Sequence, residues 1–253
     1  GYYVKFNGSA DFECSTGKAF WLLQIGSWAN ASELVNTVSL DANRDAVIPL
    51  PRGKGYYLIT NPFTRTIPWS TVAQHNGLTG SPIRAWTVTG WVNAIDFMPY
   101  QGYLFFNDSS KTGLHVPYDL TVPKVGVKPA ADPADWRIEV VARHEQYIDQ
   151  TTSFGVSKRA ANNVAPFEER KPRHFAAIPD IYFDRPSWDA SFPEFATDIR
   201  PGISELEIWE MMLRSDERKS VNLEFLGVGS VPPEFAVYLL DEAAGRGIDL
   251  RKE

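Results

Sequence analysis

Apolar runs in the first half of this chain are short and rich in aromatic and β-branched residues, as in Phe20-Trp-Leu-Leu, Tyr56-Tyr-Leu-Ile and Tyr103-Leu-Phe-Phe. Gly, Pro or Asn interrupts them every dozen residues or fewer. Long helices need longer periodic stretches than this, whereas strands between turns do not. The spacing predicts an all-β sandwich or barrel, with Ser32-Glu-Leu-Val as one helical turn at most. The sharpest break ends Gly55-Tyr-Tyr-Leu-Ile-Thr at Asn61-Pro62. Pro62 fixes its own φ and holds Asn61 extended, while the Asn side chain competes for nearby backbone groups, so the strand stops there. Phe63 and Trp69, each with roughly 150–250 Å² to bury, are expected to fold back as plugs over an open sandwich end. Gln101-Gly102 is expected to supply a bulge and to satisfy an edge with its amide.

A chain of 253 residues, 43% hydrophobic and 22% charged, has room for a sizeable core and exceeds the usual size of one domain. Charge divides it. Residues 1–122 hold 8 Lys or Arg against 8 Asp or Glu, and the remainder holds 17 against 23, so the net charge of -6 lies in the second half. Between Leu120 and Trp136 the chain runs Thr-Val-Pro-Lys-Val-Gly-Val-Lys-Pro-Ala-Ala-Asp-Pro-Ala-Asp, where prolines favour an extended spacer. The expected organisation is a domain at 1–122, a linker at 123–135 and an acidic domain at 136–253. Within the acidic half, local rules leave two segments open between helix and strand. Residues 204–214 begin with a capping-box pattern, Ser204 to Glu207, and residues 232–245 run from Pro-Pro to Gly. Yet Leu206/Ile208 and Trp209/Met211/Leu213 also sort by strand alternation, and Val221-Asn-Leu-Glu-Phe and Gly247-Ile-Asp-Leu-Arg are strand-like.

Several function classes drop out on composition. An acidic chain without a Lys/Arg block lacks the basic face that phosphate binding needs, so no nucleic-acid partner is expected. The nearest cluster, Glu168-Glu-Arg-Lys-Pro-Arg-His174, carries its own acids and reads as a solvated loop. No apolar run approaches the roughly 18 residues that span a bilayer, and the start, Gly1-Tyr-Tyr-Val-Lys-Phe, reads as a strand under way rather than a signal peptide. Cys14 is the sole cysteine, which rules out an intrachain disulfide and a thiolate metal cluster.

Motifs for chemistry are sparse. Thr16-Gly17-Lys18 lacks the Gly at 12 and the Ser or Thr at 19 of a phosphate loop, having Phe12 and Ala19. Gly53-Lys-Gly55, Gly227-Val-Gly229 and Gly245-Arg-Gly247 lack the third glycine of a dinucleotide fingerprint. Neither a nucleophile elbow nor a zinc-binding His-Glu-x-x-His is present. The four histidines, His75, His115, His144 and His174, are scattered along the chain. His144-Glu145 with Asp149 is acid/base-like, but strand alternation would send His144 and Glu145 to opposite faces. Asp41, Asn43 and Asp45 place oxygen donors at alternate positions, as calcium loops do. Ala46 and Arg52 replace the Gly and Glu of an EF-hand loop, Arg44 adds a repelling charge, and a polar hairpin turn is the competing reading. Trp28, Trp86 and Trp91 lie near turns and are the candidates for stacking on a glycan, against a role as core or corner plugs. Asn7, Asn30 and Asn107 head glycosylation sequons, which matter only in a eukaryotic secretory route.

Taken together, Ala19-Phe-Trp-Leu22, Gly55-Tyr-Tyr-Leu-Ile-Thr-Asn-Pro-Phe63 with Trp69, Ala85-Trp86, and Pro99-Tyr-Gln-Gly-Tyr-Leu-Phe105 followed by Val116-Pro117 carry a likeness. This half resembles the β-rich domains of long secreted and surface proteins of Bacteroidetes and related bacteria, often exported by type IX secretion. The second half, with Trp136-Arg-Ile-Glu, Phe154-Gly-Val, Trp209-Glu-Met, Val237-Tyr-Leu-Leu-Asp241 and Ile248-Asp-Leu-Arg251, is similar to the immunoglobulin-like segment that often follows. The chain departs from the first pattern at Tyr57 and Thr60, where Trp and Gly are expected, and it ends before a recognisable sorting domain. The resemblance implies two tandem β-sandwich domains, jelly-roll or immunoglobulin-like, and tips both ambiguous segments toward strands. It further implies a secreted or cell-surface setting, with other domains of a parent protein as partners and no membrane insertion. A non-catalytic spacer, adhesion or display role is the resulting expectation, without a cofactor unless calcium. The alternatives are a carbohydrate-binding accessory region of a secreted hydrolase, with cell-surface glycan as partner, and the accessory tail of a secreted peptidase.

Overall fold

Alternation of inward and outward side chains turns the aromatic runs into strands. The computed structural model describes residues 15–19, 38–78, 81–109, 111–118, 135–161, 168–174, 179–203, 205–215, 220–242 and 244–252. The chain divides into two units, residues 1–86 with 93–129, and residues 87–92 with 130–253. The expected linker at 123–135 falls, except for Asp135, outside the described residues, as do Trp28, Cys14, Asn7, Asn30 and the strand and helical turn expected near residues 20 and 32.

Along residues 38–118 run β1 (Asp45–Pro49), β2 (Gly55–Thr60), β3 (Ile67–Pro68), α1 (Trp69–His75), β4 (Ile83–Trp86), β5 (Trp91–Ala94), β6 (Asp96–Phe97), β7 (Gly102–Asn107) and β8 (Gly113–Pro117). A four-stranded sheet has the order β2-β7-β4-β5, while β1 pairs with β8 and β3 with β6. On β2 the inward residues are Tyr57 and Ile59, facing Phe105 and Tyr103 of β7 in antiparallel register. An edge-to-face aromatic cluster fills the core: Trp69 meets Phe97 at 5.8 Å and Phe105 at 5.6 Å, and Phe97 meets Tyr103 at 5.3 Å. Full burial of each such ring contributes about 1.5–3 kcal/mol.

The Asn-Pro corner follows from these contacts. Asn61 is buried, its Oδ1 accepts the Phe63 N–H at 2.9 Å, and its Nδ2 donates to the carbonyls of Arg65 and Phe97. Every polar atom of that amide therefore replaces ladder bonds that Pro62 forbids. Trp69 is buried as expected, but through a helix: α1 starts after Pro68 and ends at Asn76, with Gly77 at φ 62. Phe63 stays half-buried against Tyr118 at 5.5 Å, so it is a weaker plug than Trp69. The Gln101 side chain accepts from the Tyr103 hydroxyl at 3.1 Å. Its backbone carbonyl, rather than the amide, takes the Thr60 hydroxyl at the end of β2.

The second unit is built on β9 (Trp136–His144), β10 (Tyr147–Val156), β11 (Asp180–Asp184), β12 (Glu194–Phe195), β13 (Thr197–Arg200), β14 (Met212–Arg214), β15 (Asn222–Leu226), β16 (Tyr238–Asp241) and β17 (Arg246–Asp249), with a 3-10 turn at Val228–Ser230. Strands β13-β10-β9-β15 form one sheet and β12-β11-β14 another, with β16 and β17 a separate hairpin. All these pairings are antiparallel except that of β10 with β13. Its core gathers Ile138, Val140, Phe154, Ile181, Phe183 and Phe195, with Trp209 packed on it against Trp136 and Phe154. Gly155 is required where β10 crosses β9, because a Cβ there would stand 2.3 Å from the Trp136 carbonyl oxygen.

Among the described residues, α1 is the one α-helix, and the architecture is β-rich in several sheets. Among the described residues, neither ambiguous segment is helical. Residues 206–211 are irregular and lead into β14, and β16 pairs with β17 as an antiparallel hairpin, with Gly245 at φ 62. Pairing of Leu239 with Ile248, and of the Leu250 N–H with the Val237 carbonyl at 2.9 Å, outweighs the helix propensity of the intervening Asp-Glu-Ala-Ala.

Candidate functional site

In the first unit, a short turn precedes β1 and is shaped by one carboxylate. Asp41 Oδ1 accepts the backbone N–H groups of Asn43 at 2.8 Å and Asp45 at 2.9 Å, and Arg44 between them adopts a left-handed φ of 64. These N–H groups, chiefly that of Asp45, hold the Asp41 carboxyl below its ordinary value. Its other oxygen, Oδ2, faces His115 Nδ1 at 3.1 Å. Asp45, whose side chain is only 4% exposed, faces His75 Nε2 at 2.7 Å and His115 Nδ1 at 3.6 Å through Oδ2. His75 closes α1, while His115 lies on β8, directly opposite Val47 of β1. Buried Asn76 fixes the His115 backbone from both sides, accepting its N–H at 2.8 Å and donating to its carbonyl at 2.7 Å.

Two of the three oxygen donors expected from sequence therefore converge, and the third does not. Asn43 is exposed, and the turn uses its backbone N–H. Two histidines that looked scattered join the cluster instead. The Arg44 guanidinium, expected to repel a cation, lies over the Tyr118 ring at 5.5 Å.

The second unit concentrates charge in its interior. Lys171, 1% exposed, places Nζ 2.7 and 2.6 Å from the two carboxylate oxygens of Asp149, and 2.8 and 3.0 Å from the hydroxyls of Thr151 and Thr152. Asp149 also accepts the Ile181 N–H at 2.8 Å. Burial pushes the Asp149 carboxyl up, but the charges of Lys171 and His174 and the hydrogen bonds from Lys171 and the Ile181 N–H together hold it low. Nearby, Glu194 is clamped by Arg173 and Arg214, and Arg214 also reaches Asp180. Burial keeps His174 below the ordinary imidazole value. Asp198, fully buried, binds Arg185 and Arg200. Glu168, buried beside it and accepting from Ile199 N–H and the Thr197 hydroxyl, is pushed up to about 8 chiefly by desolvation.

This corrects the reading of residues 168–174 as a solvated loop. Glu168, Arg170 and Lys171 are buried, and the segment pairs with the chain around β12, through Lys171 N–H to the Glu194 carbonyl and Ala196 N–H to the Glu169 carbonyl. Asp149 belongs to this interior and does not join His144. His144 and Glu145 do approach, at 3.9 Å, because Glu145 sits in the turn after β9 with φ 51, where strand alternation no longer applies. Of the stacking candidates, Trp91 is 1% exposed and its indole N–H donates to the Arg173 carbonyl, so it offers no ring face to a sugar. Trp86 is half-buried.

No family model, curated protein or solved structure matches this chain. No helix among the described residues is long and apolar enough to cross a membrane.

Proposed function

We propose that this chain is a non-catalytic pair of β-rich modules, built as tandem sandwiches of jelly-roll or immunoglobulin-like type. They belong to a secreted or surface-attached bacterial protein and act as spacer, adhesion or display domains beside other domains of that protein. The observation that carries this reading is the engagement of four buried ionisable side chains of the second unit by partners within the fold. Lys171, Asp149, Asp198 and Glu168 are buried and hydrogen-bonded within the fold, the arrangement of a structural network rather than of a base and nucleophile presented to substrate. The likeness of both halves to modules of large exported proteins supports the setting.

A carbohydrate-binding role loses support at Trp91 and rests on Trp86 and on Trp28, which lies outside the described residues. A panel of hydrolase and peptidase substrates is expected to give no turnover, and a glycan array no specific binding. Turnover that persists through repurification and disappears in His144→Ala would overturn the non-enzymatic reading. Glycan binding abolished by Trp86→Ala would replace it with the accessory-module reading.

A further inference from the structure

We propose that Asp41, Asp45 and His115 form a site for a divalent transition-metal ion of the zinc type, with His75 as the residue that positions Asp45. One oxygen from each carboxylate and one ring nitrogen lie within 4.8 Å of one another, drawn from a turn, β1 and β8. Donor chemistry sets the metal class. Calcium favours six to eight oxygens, whereas a mixed imidazole and carboxylate set suits zinc and its neighbours.

Each donor is already held by a separate contact. Asp41 is oriented by the two N–H groups on Oδ1, which leaves Oδ2 facing the cluster. His115 is held through its backbone by Asn76, and Asp45 through Oδ2 by His75. Such outer contacts orient first ligands and typically change metal affinity about 10–100-fold when removed. Access is one-sided. Asp45 is buried, while the His115 and Asp41 side chains are 42% and 26% exposed, so an ion can enter from solvent and complete its coordination with water. The neighbouring guanidinium of Arg44 lies over the Tyr118 ring. A proton shared between Asp and His is the competing occupant, and affinity for metal separates the two.

The test uses the whole chain, stripped with EDTA, dialysed, and titrated with zinc chloride in a calorimeter. One saturable equivalent and a raised melting temperature are expected, with no such response to millimolar calcium. His115→Ala and Asp45→Asn should weaken zinc binding by more than tenfold and His75→Ala by about 10–100-fold, while Asn43→Ala should leave it unchanged. A readout on the unaltered protein avoids reliance on variants that fail to fold. In ring-nitrogen NMR of the labelled histidines, the His115 signals should move stoichiometrically with zinc, while those of His144 and His174 stay. Absence of saturable zinc binding, a preference for calcium, affinity unaffected by these substitutions, or shifts confined to His144 and His174 would each overturn the site.

Discussion

A single amide decides the corner after β2. Asn61 uses both ends of its side chain on backbone groups of three other residues, and no other neutral side chain of that size carries an acceptor and two donors. Asn61→Ala is expected to cost about 1–3 kcal/mol in urea unfolding, because the carbonyl of buried Phe97 and that of Arg65 lose their donor and the Phe63 N–H its acceptor. Asn61→Asp should be no milder despite its shape, since a carboxylate would face those two carbonyl oxygens. This corner was legible in the sequence because most of its chemistry is local: Pro62 is adjacent to Asn61, and the partners Phe63 and Arg65 lie two and four residues away, whereas the bond to Phe97 spans 36 residues and was not. The Asp41 turn was legible for the same reason. His75 and His115 were not, because they reach Asp45 only once β1 has paired with β8 and α1 has formed, 30 and 70 residues along the chain. A signal for α1 did exist, in Pro68 before it and Asn76-Gly77 after it, a combination that favours a helix start and stop.

At the scale of elements, charge placed inside the second unit ties β10 to β11 and to the segment before it. Lys171 bridges Asp149 and the threonines of β10, and Asp149 reaches the backbone of β11. Lys171→Met would leave the Asp149 carboxylate buried without its cation, and is expected to destabilise the chain by about 3–5 kcal/mol. The pair Lys171→Met with Asp149→Leu should recover the part of that loss due to the stranded charge, while the buried Ile181 N–H left without its acceptor keeps the double variant below the parent. Denaturant titration of the two singles and the double measures this coupling directly. Sequence reading missed the network for a physical reason. A run of two acids followed by three bases has the composition of a solvated loop, and partners distant in sequence, among them Asp149, Asp189, Thr197 and Ile199, compensate its burial.

For the whole molecule, the acidic surplus of the second half makes pH the natural variable, and Glu168 gives it a defined sign. Its folded value is near 8 against an ordinary 4.5. Below 4.5 both the folded and unfolded forms hold the proton and the group adds no pH dependence. Between 4.5 and 8 only the unfolded chain has released it, so stability falls as pH rises, by up to about 1.4 kcal/mol per pH unit. Glu168→Gln is expected to flatten the stability profile across that window and to be more stable than the parent at pH 8, as read from urea midpoints at several pH values. Topology adds a different consequence. The β9 edge is covered by β15, which arrives some 80 residues later in the chain. A nascent or proteolysed chain that stops short of Asn222 would carry β9 as a long, bare hydrogen-bonding edge rich in Val and Ile, and such an edge recruits strands from neighbouring molecules. The last strand to be synthesised in that sheet is thus also its guard against aggregation.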